Sequence, residues 1–161
     1  GCERLRKYFD NPAITTDVIV GFPGESEEDF RQTKNFLEKV SFYEMHIFKY
    51  SRRKGTVADK MTDQISDEVK FQRSAELLEL EKRQSFDYRK GYIGTEIEVL
   101  IEELTQIDGK SYYTGYTKNY IRVAVNADDF DGINPVNELY VCLVEGLSED
   151  GVTMYARLKD R

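Results

Sequence analysis

Metal-binding and nucleophilic residues are scarce in this 161-residue sequence: it holds two cysteines, Cys2 and Cys142, and one histidine, His46. There is no CxxC and no Cys/His ligand spacing, so no metal site is expected from these residues. With a single His there is no Ser/His/Asp or Cys/His nucleophile set either, and nothing here performs redox or radical chemistry alone. No apolar run approaches the ~20 residues that span a bilayer, and no signal peptide is visible. Low cysteine use fits a reducing cytoplasm, and Cys142, inside an apolar run, reads as a packed strand thiol. Positive charge is also short. The formal net charge is −7, and residues 85–161 hold 8 of the 23 Lys and Arg against 14 of the 30 acids, a net of −6 that leaves −1 for the rest. That balance opposes strong non-specific nucleic-acid binding but leaves room for a local basic stripe. There is no internal repeat and no low-complexity segment. The start, Gly1-Cys2-Glu3, lacks Met and reads as a piece of a longer or processed chain.

The first half alternates strand and helix. A short helix is predicted over 3–9, ended by Asp10-Asn11-Pro12. The β-branched run Thr15-Thr16-Asp17-Val18-Ile19-Val20 reads as a buried strand. Gly21-Phe22-Pro23-Gly24 then makes a tight turn. Ser26 caps a helix running to about Val40, with Asp29 at its third position and Phe30, Phe36, Leu37 and Val40 on one side. A second strand is predicted from Glu44 to Tyr50, and a loop from Ser51 to Gln64. The next helix, from Ser66 to about Tyr88, carries Phe71, Ala75 and Leu78 at i, i+4, i+7 and a Glu79/Arg83 pair. After Tyr92-Ile93-Gly94 the period becomes two: Ile97, Val99 and Ile101 alternate with Glu96, Glu98, Leu100 and Glu102. Further strands are expected at 111–117, 119–126, 138–146 and 152–158, separated by turn clusters at 108–109, 128–132 and 149–151. The fold class is therefore α/β followed by all-β, a small barrel or compact sandwich, with a boundary near residue 90.

Three places could carry chemistry. Gly21 and Gly24 would let backbone approach a ligand, Pro23 stiffens the turn between them, and the helix start offers N–H groups to a carboxylate or phosphate. The same glycines equally suit a plain strand-to-helix turn. Lys49, Arg52, Arg53 and Lys54 form the densest basic cluster, at a second strand end beside Tyr50; an Arg there can clamp an anion, or the cluster is a solvated loop. Tyr112, Tyr113, Tyr116, Lys118, Tyr120 and Arg122 fall within eleven residues on two strands. Aromatics interleaved with cations on a small barrel suit RNA stacking and phosphate contact, and tyrosines are also good sheet formers. His46, between Met45 and Ile47, reads as a packed or hydrogen-bonded core residue.

Two motifs, Thr16-Asp17-Val18-Ile19-Val20-Gly21-Phe22-Pro23-Gly24-Glu25-Ser26 and Phe48-Lys49-Tyr50-Ser51-Arg52-Arg53-Lys54-Gly55-Thr56-Val57-Ala58, resemble those of the radical-SAM methylthiotransferases. Residues 91–161, with Gly115-Tyr116-Thr117-Lys118-Asn119-Tyr120, resemble their C-terminal TRAM domain. Met45-His46-Ile47-Phe48-Lys49-Tyr50-Ser51-Arg52-Arg53 is most similar to the branch acting on N6-threonylcarbamoyladenosine in tRNA. The resemblance implies a parent that uses S-adenosylmethionine and two 4Fe-4S clusters to place a methylthio group on C2 of the adenine. The cluster cysteines of that family are missing here. By resemblance, then, residues 1–90 are the C-terminal part of a radical-SAM partial (β/α) barrel and 91–161 a TRAM β-barrel. Val20, Gly21, Phe22, Pro23, Gly24 and Arg53 would belong to the S-adenosylmethionine pocket, and Tyr116, Lys118, Tyr120 and Arg122 would face tRNA. The chain alone would be inactive, hold no metal or cofactor, and stay off membranes, and its cut barrel would tend to self-associate through an open sheet edge. The alternatives are a non-catalytic RNA-binding module, a barrel that binds protein, or a methylthiotransferase acting on isopentenyladenosine tRNA or a ribosomal protein.

Overall fold

A computed structural model describes residues 1–159 and divides the chain into two compact units, Gly1–Ser85 and Phe86–Arg161. In the first unit the order is α1 (Cys2–Tyr8), β1 (Thr15–Val20), α2 (Glu27–Val40), β2 (Glu44–Lys49), a 3-10 turn (Ala58–Lys60) and α3 (Asp67–Lys90), whose last turn lies in the second unit. The strands pair in parallel with Val18 opposite Ile47 and Val20 opposite Lys49, as a strand–helix–strand crossover requires. The core joins Val18, Val20 and Met45 of the strands to Phe30 and Leu37 of α2 and Leu77 and Leu80 of α3. Ser26 accepts from Asp29 N–H while Asp29 accepts from Ser26 N–H, a complete capping box that starts α2 where the sequence predicts it.

Four expectations need correcting. β1 is buried on one face only: Val18 and Val20 point into the core, whereas Ile19 is 56% exposed. His46 is exposed on that same outer face, registered opposite Asp17, and is not a core residue. Phe36, placed with the buried side of α2, is exposed. The phase of α3 is rotated from the predicted one, with Phe71, Ala75 and Leu78 facing out and Lys70, Arg73, Ser74, Leu77, Leu80 and Gln84 facing in. Leu77 and Leu80 share that face with polar side chains, of which Arg73 and Gln84 find partners on Glu25, Glu27 and the Leu37 carbonyl. Arg83 accordingly reaches Glu38 of α2, and Glu79 pairs with Lys82.

The second unit is a closed five-stranded barrel of β3 (Glu96–Ile107), β4 (Lys110–Thr117), β5 (Arg122–Asn126), β6 (Leu139–Leu147) and β7 (Met154–Leu158), in the order β3-β4-β5-β7-β6. The alternation in β3 works as read: Ile97, Val99 and Ile101 are buried and Glu96, Glu98 and Glu102 exposed. Closure removes free edges, with β5 and β7 forming a parallel pair while the barrel's other described pairings are antiparallel. Gly115 sits where β4 crosses β3 so closely that a Cβ would overlap the Leu100 carbonyl oxygen, beside a bulge between Ile101 and Glu103. Cys142 is fully buried, as expected, with its thiol 3.9 Å from the Tyr140 carbonyl oxygen. Burial is the main cause that pushes its pKa up from 9.0 to about 11. Among the described residues no helix is long and apolar enough to cross a membrane.

Candidate functional site

Parallel pairing brings the two strand ends of the first unit together. Tyr50 N–H donates to the Val20 carbonyl at 2.8 Å, so β2 leaves the sheet alongside the turn that follows β1. There the Phe22 and Tyr50 rings meet edge to face, with centroids 5.1 Å apart. The outer face below them shows Ile19 and Phe48, directly registered and both more than half exposed. The Tyr50 hydroxyl is buried without a hydrogen-bond partner among the described residues. A buried orphan of this kind is uncommon in native proteins.

Packing and backbone conformation both call for glycine in this turn. Gly21 has φ +73° and Gly24 φ +85°, a left-handed region that suits glycine. The space beside each is already filled. A Cβ on Gly21 would overlap the Lys70 stem, and one on Gly24 would come within 2.6 Å of an Asp63 carboxylate oxygen. On the side a Cβ would occupy, the turn is thus shaped by packing from α3 and the loop before it. Nor does the start of α2 await an anion, because its first turn carries Glu27, Glu28 and Asp29 and the capping box takes two of its donors.

The basic loop has an internal clamp. Arg52 donates to Asp59 Oδ1 and to the Asp59 carbonyl, both at 2.6 Å, while Gly55 N–H donates to the other Asp59 oxygen at 3.0 Å. The Gly55 N–H bond and then the Arg52 bond hold the Asp59 carboxyl below its ordinary pKa. Arg52 is thereby occupied within the loop. Arg53 and Lys54 are exposed, and neither side chain has an ion pair or hydrogen bond among the described residues. Lys49 lies 5.6 Å from the centre of the Phe71 ring.

On the barrel, the four tyrosines separate into two pairs. Tyr112 packs on Tyr155, and Tyr113 meets Phe130 edge on, so both belong to the barrel's own packing. Tyr116 and Arg122 are registered partners on β4 and β5 and share an outer face. Lys118 is exposed with no partner among the described residues, and Tyr120 is 83% exposed. Tyr120 also has φ +59°, uncommon for a bulky residue. It is held there by the turn, in which Tyr120 N–H donates to the Thr117 carbonyl and Thr117 Oγ1 accepts from the N–H groups of Asn119 and Ile121. Asn119 donates to the Tyr88 and Tyr92 hydroxyls at 3.2 and 3.0 Å, which anchors the turn within the second unit. Arg122 lies 4.0 Å from Glu103, which offsets part of its charge. Tyr116, Lys118, Tyr120 and Arg122 therefore lie along one strand pair and its turn. Nothing in composition or periodicity marks Asn119, Tyr88, Tyr92, Asp59 and Glu25 as supporting residues, since a hydrogen bond between elements leaves no periodic signal.

No protein-family model matches the chain. Curated relatives do. It is 44% identical over 129 residues to the ribosomal protein uS12 methylthiotransferase RimO of Clostridium kluyveri, which covers 80% of this chain and 27% of that protein. It is 39% identical over 150 residues to the threonylcarbamoyladenosine tRNA methylthiotransferase MtaB of Thermotoga maritima, 93% of this chain and 32% of that protein. It is 42% identical over 125 residues to the tRNA-2-methylthio-N(6)-dimethylallyladenosine synthase of Acetivibrio thermocellus, 78% of this chain and 26% of that protein. The chain spans about a quarter to a third of the length of these relatives. Over that stretch it belongs to the methylthiotransferase family.

Proposed function

We propose that this chain is the part of a tRNA methylthiotransferase that supplies one wall of an S-adenosylmethionine pocket and a tRNA-binding TRAM barrel. The parent would place a methylthio group on C2 of N6-threonylcarbamoyladenosine. The observation that carries the reading is the match, along most of the chain, to proteins named for tRNA methylthiolation. Relatives named for three different substrates match at 39–44% identity. The choice of branch therefore rests on Met45-His46-Ile47-Phe48 and Arg53, not on overall similarity.

The first unit's residues fit the adenosine and methionine parts of such a cofactor. Ile19, Phe22 and Phe48 give exposed apolar surface, the Phe22 ring packs on that of Tyr50 with its orphaned hydroxyl, and Arg53 offers an unpaired cation to a carboxylate. In this reading Val20, Gly21, Phe22, Pro23 and Gly24 form the wall. When bound, S-adenosylmethionine supplies the radical and methyl chemistry; these residues only hold and orient it. Iron–sulfur clusters need a set of cysteine thiolates that the two cysteines of this sequence do not supply. The chain alone is accordingly proposed to be inactive. On the barrel, Tyr116 and Tyr120 offer faces for bases and Lys118 and Arg122 charges for phosphate. The free edges of the two-stranded sheet are expected to promote self-association, which sedimentation at rising concentration would register.

Mass spectrometry of tRNA nucleosides and of ribosomal protein uS12, from cells lacking the parent gene and cells complemented with it, tests the reading. Methylthiolated threonylcarbamoyladenosine should appear only on complementation. Restoration of the isopentenyladenosine derivative or of modified uS12 would move the chain to another branch.

A further inference from the structure

Arg73, on the inward face of α3, has a side chain only 5% exposed. Its Nη1 donates to the Glu25 backbone oxygen at 3.0 Å and to Glu25 Oε2 at 2.6 Å, and its Nη2 donates to Glu27 Oε2 at 2.8 Å. The same Glu25 Oε2 accepts from Gly21 N–H at 2.7 Å. One guanidinium thus grips the end of the strand-end turn directly and its beginning through a single carboxylate oxygen. The guanidinium also lies 5.3 Å from the centre of the Phe30 ring. Burial pulls the Arg73 pKa down, but the bonds to Glu27 and Glu25 outweigh it and leave the pKa raised. A leucine at this helix position could fill the space without desolvating a charge, so the ion pair invests in geometry rather than in net stability.

We propose that Arg73 is a positioning residue which, through Glu25, fixes the turn at Gly21–Gly24 in the conformation that presents the cofactor wall. The proposal rests on the reading of that turn as part of an S-adenosylmethionine pocket. Only the planar fork of an arginine reaches a carbonyl and two carboxylates at once; a lysine in its place is a point charge. Glu27, whose side chain is 84% exposed, is the dispensable partner.

Amide hydrogen exchange on the 161-residue chain tests the clamp, with Gly21 and Gly24 as reporters of the turn and Val18 and Leu77 as reporters of the core. Arg73→Lys should speed exchange at Gly21 by ~10-fold or more relative to the core amides, whereas Glu27→Gln should change it by less than ~3-fold. Should Arg73→Lys fail to fold, Glu25→Gln breaks the same clamp while keeping the side chain's shape, with the same expected local effect. Uniform acceleration at the core and the turn, or none at the turn, would overturn the proposal. S-adenosylmethionine titrated into the same samples and followed by Gly21 and Gly24 shifts gives a second readout. Affinity should fall by ~10-fold in Arg73→Lys and hold in Glu27→Gln. Equal affinity in Arg73→Lys would refute the positioning role. An absence of any shift in the unsubstituted chain would remove the pocket reading instead, leaving the exchange result to decide the clamp.

Discussion

Replacing Gly21 with alanine puts two separable strains into the strand-end turn. The backbone there has φ +73°, which costs an L-residue about 1–2 kcal/mol. The new methyl would overlap Lys70 Cγ and lie 3.2 Å from Cδ and 3.3 Å from Cβ. These are stem atoms of a buried side chain, so relief requires α3 or the turn to shift, at a cost of about 1–3 kcal/mol. The sum, about 2–5 kcal/mol, is a large share of the ~5–15 kcal/mol that holds a typical domain together. Urea unfolding followed by the amide signals of Val18 and Leu77 reads it in the first unit. With a slope of about 1–3 kcal/mol/M, the midpoint should fall by roughly 1 M or more. Adding Lys70→Ala should recover the steric part relative to Lys70→Ala alone, leaving the backbone cost of about 1–2 kcal/mol. A midpoint unchanged by Gly21→Ala, or no recovery in the double variant, would refute the account of why glycine stands there.

Other substitutions and conditions separate the remaining elements. Gly115→Ala should abolish the barrel's cooperative unfolding, because its Cβ would strike a backbone oxygen that no rotamer change can move; circular dichroism and amide spectra of residues 96–158 report this. Cys142 should resist iodoacetamide at pH 8.5 in the folded chain and react after unfolding in urea, while the less buried Cys2 reacts in both states. Because folding raises the Cys142 pKa to about 11, its contribution to barrel stability is full below about pH 9 and is lost as pH climbs toward about 11. Ser26→Ala removes the hydroxyl that caps α2 and should cost about 1 kcal/mol in the first unit's urea midpoint analysis.

What could be read along the chain is what depends on neighbours in sequence. The alternation of Ile97, Val99 and Ile101 with Glu96, Glu98, Leu100 and Glu102 predicts a half-buried strand, and Ser26 with Asp29 predicts a capped helix start; both stand in the structure. The inward face of α3 could not be read that way. Arg73 and Gln84 look like a solvated face until Glu25 and the Leu37 carbonyl are brought to them from elsewhere. The outer face of β1–β2 misled for the opposite reason, since an apolar run reads as two-sided burial even where Ile19 and Phe48 stay exposed. At the candidate sites the residue types were legible, but their partition was not. Tyr112 and Tyr113 pack within the barrel while Tyr116 and Tyr120 face outward, because pleat and register, not composition, decide which tyrosines are free.

Fluorescence anisotropy of labelled tRNA titrated with this chain over a series of salt concentrations tests the central claim most directly. The account predicts salt-dependent binding that weakens in Lys118→Ala/Arg122→Ala, with the magnitude of the log–log salt slope falling by about 1–2 as two phosphate contacts are lost. Tyr120→Ala should lower affinity while leaving that slope in place. Binding whose strength and salt slope are unchanged by the charge substitutions, or no binding at all, would contradict the assignment of this barrel face to tRNA.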